Sequence, residues 1–207
     1  MDLVNRLIEG GWLKTPEIIE AFREIKRKDF LPEEMKEMAD LNEALAIGEG
    51  QTISQPLVVA FMLEKLEPFK GQNILDIGAG SGWTTALLSY ILKEKGRVTA
   101  LEMIPELKEF GENNVRKYSF VDKGIANFFC KDGSKGFKEN SPYDRILASA
   151  SVQGEIPGAW KEQLKTGGII VTPVRSSIWV LRKEEKDNFK KEEYPGFAFV
   201  PLVQKNE

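Results

Sequence analysis

The strongest chemical signal in the chain is Ile74-Leu-Asp-Ile-Gly-Ala-Gly-Ser-Gly-Trp83. An apolar run gives way to glycines 78, 80 and 82, and a second apolar run follows. That order predicts a strand, a tight turn and a helix, with bare backbone open to a ligand lying over the strand end. The spacing is G-x-G-x-G, not the G-x-G-x-x-G of dinucleotide-binding proteins. Glycines also build strand-to-helix turns that bind nothing, so the turn needs company. Glu102 provides it at the predicted end of the next strand, about twenty residues on, where a carboxylate can accept both ribose hydroxyls of an adenosine. The plainer alternative is a surface glutamate ending a strand. Asp76 lies at the end of the first strand, where burial without partners is costly. It is expected to accept from loop backbone groups or to face an amino group of the ligand. After the third strand, Asp132 of Lys131-Asp-Gly133 either accepts from an adenine amine or is a turn aspartate before glycine.

Histidine is absent from all 207 residues. With it go the commonest general base, the commonest metal ligand and the Ser–His and Cys–His nucleophile pairs. No metal site is expected, since Cys130 is the only cysteine and zinc needs several Cys or His ligands. The single thiol fits a reducing compartment, and the N-terminus shows no apolar core with a cleavage signal. No segment approaches the roughly 20 apolar residues of a membrane helix. A cytoplasmic location, no membrane contact and a monomer are expected. The net charge is −3 with both signs interspersed, and no basic patch with aromatics appears, so no nucleic-acid partner is expected. Cys130 is expected to pack as a small buried hydrophobe, and Trp83, Trp160 and Trp179 as core or edge packing.

These residues must be positioned by the elements around them. The first 50 residues predict a helical extension, with Thr15 capping a helix that starts at Pro16 and turns Ile18, Ile19, Phe22 and Ile25 to one side. A short helix is expected after Pro32, then a polar loop over Ile47–Ser54. Helix signals resume after Ser54. Strands at Asn73–Ile77, Arg97–Glu102, Ala126–Cys130, Arg145–Ala148 and Gly168–Pro173 alternate with helices at Trp83–Leu92, Pro105–Lys117 and Ile156–Leu164. Such alternation predicts βαβ units in one α/β domain over 1–207, a doubly wound and mostly parallel sheet with helices on both faces. Strands at Ser177–Arg182 and Phe197–Val203, joined by a solvated charged hairpin tip over Lys183–Glu193, would close one edge antiparallel.

Taken together, Asp76–Trp83, Glu102 and Asp132-Gly133 resemble the cofactor motifs of class I S-adenosylmethionine methyltransferases, whose sheet is Rossmann-like. Ile47-Gly-Glu-Gly-Gln-Thr-Ile-Ser-Gln-Pro56, Pro142–Ile146, Glu155–Pro157, Glu162–Gly168 and Phe199–Leu202 extend the likeness to the protein-L-isoaspartate O-methyltransferases, in family order over most of the chain. The resemblance implies methyl transfer from S-adenosyl-L-methionine to the α-carboxylate of isoaspartyl residues in damaged protein. The ester then closes to a succinimide that reopens partly to aspartate. It also implies that residues 47–56 form the active-site loop, that Gln51, Thr52, Ile53 and Ser54 cover cofactor and substrate, and that Ser54 is the active-site serine. The residues agree with this chemistry. A carboxylate acceptor has an unperturbed pKa of about 4 and needs no general base. Ser54 would donate to that carboxylate; it could equally cap the following helix, and the two are compatible. Three departures fall where substrate would lie: Glu49 stands in place of a frequent histidine, Ala148–Gln153 lacks the family's proline-containing stretch, and Ala198 lacks a basic residue that many bacterial relatives carry. A relative methylating another carboxylate, or a module that binds the cofactor without catalysis, stays open.

Overall fold

The computed structural model describes residues 2–185 and 188–203. Two helices open the chain, α1 (Leu3–Glu9) and α2 (Pro16–Glu24), followed by two short 3-10 turns at Arg27–Phe30 and Glu33–Met38. Asp2 caps α1 through a bond from Asn5 N at 2.8 Å. Thr15 begins α2 but makes no side-chain cap. Its backbone N–H and hydroxyl donate instead to Glu64, at 2.9 and 2.7 Å, which ties α2 to the helix that follows the loop.

The helical extension stops short of residue 50. The predicted polar loop is an antiparallel hairpin of β1 (Leu45–Gly48) and β2 (Gln51–Ile53). Glu49 sits exposed at its tip, flanked by Gly48 and Gly50, and all three have positive φ. Leu45, Ile47 and Ile53 point inward and hold the hairpin on the core. From Pro56 the α/β alternation runs as expected. Helix α3 (Pro56–Leu66) leads to β3 (Asn73–Ile77), α4 (Trp83–Leu92), β4 (Arg97–Glu102), α5 (Pro105–Arg116) and β5 (Ala126–Cys130). Then come β6 (Tyr143–Ala148), α6 (Gly158–Gln163) and β7 (Leu164–Val174).

With β8 (Ser177–Glu185) and β9 (Asn188–Pro195) closing the chain's strands, the sheet order is β5-β4-β3-β6-β7-β8-β9, parallel from β5 to β7 and antiparallel at the last two strands. Along β3 the side chains alternate. Ile74 joins the core under α2–α5, while Leu75 and Ile77 join a second core under α6 and Trp160. Asp76 therefore faces the α4 side. Helix α4 is buried nearly all round, because α2 packs on its outer surface.

The tail departs from expectation. Strands β8 (Ser177–Glu185) and β9 (Asn188–Pro195) form a long antiparallel pair, so most of the charged stretch expected at a hairpin tip is strand. Residues 186 and 187 of that stretch lie outside the described residues. Phe197–Val203, expected as a strand, is an irregular segment. It is pinned where Ser151 N donates to Val200 O and Leu202 N donates to Ser151 O, both at 2.8 Å. Cys130, expected to be buried, is exposed at the end of β5. Among the described residues no helix is long and apolar enough to cross a membrane, and no group of His, Cys, Asp or Glu is arranged to hold a metal.

Candidate active site

The chain runs β3, β4, β5 to one side of the sheet and then crosses to β6 on the other. The carboxyl ends of β3 and β6 therefore open a crevice at the switch point. A cleft lies there. Its floor is the glycine turn, its walls are Leu101–Ile104, Lys131, Gly133, Ser149 and Ala150, and its roof is Gln51–Ser54 with the tail Val200–Val203. The space between the walls is a narrow slot, a cavity of about 70 Å³. The hairpin roof rests on the turn, with Ile47 Cδ1 at 3.4 Å from where a Gly80 Cβ would stand.

The turn is held open by its own bonds and by α5. Gly78 N and Ala79 N both donate to Leu101 O, at 2.8 and 3.0 Å. Gly82 takes φ +85, and a Cβ there would meet Gly111 O at 2.6 Å. A Cβ on Gly111 would in turn meet Gly80 O at 2.4 Å, so turn and helix touch backbone to backbone. Asn114 Nδ2 donates to Ser81 O at 3.1 Å from the same helix. A glycine inside a helix costs about 1 kcal/mol and so signals a packing reason. Gly111 carries that signal in the sequence.

Glu102 ends β4 at 8% exposure and borders the cleft. Its Oε2 accepts from Gly80 N at 2.9 Å and its Oε1 from Ile104 N at 3.0 Å. A carboxylate has about four acceptor sites, so each oxygen keeps one for a diol. Asp76 does not bond the loop backbone. Its Oδ2 accepts from Thr85 Oγ1 at 2.6 Å and Thr84 Oγ1 at 3.1 Å, while its Oδ1 is buried with no partner. Burial pushes its carboxyl up to about 6; the two threonine hydroxyls oppose the rise and the nearby Glu102 charge adds to it. Asp132 turns toward its own loop, where Oδ1 accepts from Ser134 N at 2.9 Å and Ser134 Oγ at 2.7 Å, and its neighbours Lys131 and Gly133 make the wall.

Ser54 does not cap α3. The residue before Pro56 in the cap position is Gln55, which makes no side-chain cap, and the first free amide of the helix, Leu57 N, donates to Asn42 Oδ1 at 2.9 Å. The Ser54 hydroxyl is thereby left available. Its backbone is fixed by Arg27, a residue 6% exposed whose guanidinium donates to the carbonyls of Ala39, Leu41, Glu43 and Ser54 at 2.7–3.2 Å. Burial lowers the Arg27 pKa to about 10. Nothing in local sequence pattern marks Arg27, because its four acceptors are spread over residues 39–54.

A second groove meets the cleft at Thr52, Ser54, Ser149 and Val200, which line both. Ser54 thus stands at the junction of two spaces, one walled by the glycine turn and one open between α3 and the tail. Trp83, by contrast, packs edge-on to Phe22 with centroids 5.5 Å apart, and Trp160 Nε1 donates to Gly133 O at 2.8 Å from the core.

These residues fit a sulfonium cofactor bearing an adenosine. Glu102 lines the cleft with free acceptor positions for a ribose, and Asp76, which does not line it, is buried behind the glycine turn with one unpartnered oxygen, an anionic group close to a site for a cation. Comparison with known proteins agrees. Residues 1–207 match the family described as protein-L-isoaspartate (D-aspartate) O-methyltransferase. A protein-L-isoaspartate O-methyltransferase of Methanopyrus kandleri is 38% identical over 205 residues, which is 97% of this chain and 89% of that one. One from Methanococcus maripaludis is 40% identical over 206 residues, 99% of this chain and 95% of that one. A Plasmodium falciparum crystal structure described as a protein-L-isoaspartate O-methyltransferase with S-adenosyl-L-homocysteine shares the fold, with a TM-score of 0.88 at 20% identity over 98% of this chain and 97% of that one. On the match of the whole sequence and the identity of these relatives, the chain belongs to the protein-L-isoaspartate (D-aspartate) O-methyltransferase family.

Proposed function

We propose that this protein uses S-adenosyl-L-methionine to methylate the α-carboxylate of isoaspartyl residues in damaged polypeptides, with Ser54 as the group that holds the acceptor. The observation that carries the reading is the position of Ser54, whose uncommitted hydroxyl stands where the cofactor cleft and the outer groove join. When bound, the cofactor would supply an electrophilic methyl group, passed to a carboxylate oxygen as the S–CH3 bond breaks and the neutral thioether leaves. Glu102 binds the ribose hydroxyls while its two bonds to Gly80 N and Ile104 N keep the carboxylate aligned. Asp76, ionised near neutral pH, offsets the positive charge and holds the first turn of α4 through Thr84 and Thr85. Gly78 and Gly80 admit the ligand against backbone, Gly82 admits α5 behind them, and Gln51–Ile53 roof the ligand and exclude water. Ser54 donates to one acceptor oxygen and aims the other; Asp132 and Gly133 shape the adenine end through the loop they close.

The same reading makes the chain one domain, acting as a monomer in the cytoplasm. The charged outer strand β9 discourages edge-to-edge pairing, and the exposed thiol of Cys130 suits a reducing compartment.

The test is methyl transfer from labelled cofactor to an isoaspartyl peptide and to its aspartyl twin, with wild type and Ser54→Ala side by side. Transfer confined to the isoaspartyl form, with kcat/KM falling roughly 100-fold in the variant, is expected for loss of one hydrogen bond to the reacting group. Equal activity on both peptides, or an unaffected variant, would remove the substrate assignment or the role of Ser54 respectively.

A further inference from the structure

Beyond the four residues it shares with the cleft, the outer groove is lined mostly by apolar residues, Trp12, Leu57, Val58, Phe197 and Phe199 among them, with Gln55 as its further polar side chain. None of its described lining residues carries a charge, on a chain in which 29% of residues do. Its rim is a built aromatic cluster. Phe61 takes Trp12 edge-on at 6.2 Å and Tyr194 edge-on at 5.1 Å, and stacks on Phe197 at 5.3 Å. Lys65 Nζ donates to Tyr194 Oη at 2.6 Å from over that ring, which fixes the back of the cluster. Trp12 is held too: its indole lies over Gly10, where a Cβ would strike Cδ1 at 2.8 Å. Yet Trp12 remains 37% exposed. A rigid aromatic face left open at the mouth of a neutral groove loses little side-chain entropy when something packs on it.

We propose that this groove is a subsite for one apolar side chain of the substrate polypeptide, aromatic in preference to aliphatic, on the residue next to the isoaspartyl position. The assignment rests on the function proposed above. Continuity with Ser54 limits the occupant, because whatever fills the groove must be attached to the acceptor held at the junction. The absence of charged lining sets its chemistry: an aspartate or lysine flank would be desolvated there without an opposite charge.

The test is a set of isoaspartyl peptides carrying Phe, Leu, Gly or Asp beside the isoaspartyl residue, on each side in turn, assayed with wild type, Trp12→Ala and Trp12→Phe. In wild type, kcat/KM for the Phe peptide exceeds that for the Gly peptide by about tenfold on one side, with Leu between and Asp lowest. In Trp12→Ala that ratio falls to near one, and Trp12→Phe keeps most of it. Thermal unfolding of the variants checks that each is folded. A wild type indifferent to the flank, or a Trp12→Ala that keeps the full ratio, overturns the subsite while leaving the methyltransferase reading intact. No transfer to any isoaspartyl peptide, with cofactor still bound, overturns the substrate assignment and this subsite with it.

Discussion

Asp76 is placed where a carboxylate is expensive and kept there. It is fully buried, one oxygen has no partner, and its carboxyl is raised from 3.8 to about 6. A raised acid pKa means that the folded state holds the proton more tightly than the unfolded chain does. Its contribution to stability is therefore largest below pH 4 and is lost as pH rises through the window from 3.8 to about 6. Asp76→Asn removes this dependence. Relative to wild type the variant should gain about 1–3 kcal/mol between pH 4 and pH 7, with no further change above that. Denaturant unfolding of both proteins at several pH values measures it, and parallel curves would show that the carboxyl is not strained. The same substitution should weaken cofactor binding. The position of Asp76 was legible in the sequence, but its partners were not, because Thr84 and Thr85 reach it only after the chain has reversed through the glycine turn.

The β1–β2 hairpin shows the same limit on a larger scale. Four residues and three residues with a glycine-flanked tip give little alternation to read, and the strands are specified by Leu45, Ile47 and Ile53 finding the core. The tail misled in the opposite direction. Phe197–Val203 alternates like a strand but carries Pro201 and runs over the cleft, whereas β9 reads as a charge run because an edge strand exposed on its outer face need not alternate. By contrast, β3, β4 and β5 stand at their expected limits, since buried parallel strands are short apolar runs between clear turn signals. What secures the hairpin and Ser54 is Arg27. Arg27→Met strands four carbonyls and should cost about 3 kcal/mol of stability. It should also lower kcat/KM for peptide roughly tenfold by loosening Ser54. Arg27→Lys offers fewer donors without the planar fork and should recover only part of each loss. Full stability and full activity in Arg27→Met would mean that the loop is held some other way.

Across the whole molecule, one compositional fact and one topological fact meet at the site. The chain has no histidine, and the switch point of its sheet puts Glu102 on the crevice with Asp76 buried behind the glycine turn that floors it. A carboxylate acceptor is ionised throughout the working range, so no proton needs to leave it in the transition state. Asp76, behind the floor of the site, is then the nearby group that changes charge closest to neutrality, at about 6. It is protonated below that pH, and a protonated Asp76 no longer opposes the cofactor's positive charge. The kcat/KM for the cofactor should accordingly rise between pH 5 and pH 7 with a midpoint near 6 and stay level to about pH 8, with no falling limb over that span. Because a bound cation stabilises the carboxylate, the midpoint in kcat should lie lower than in kcat/KM. Asp76→Asn should flatten the rise. A bell-shaped profile with a second midpoint between 7 and 8 would instead require a base at the site, and with it a different acceptor from the carboxylate that a chain without histidine is suited to methylate.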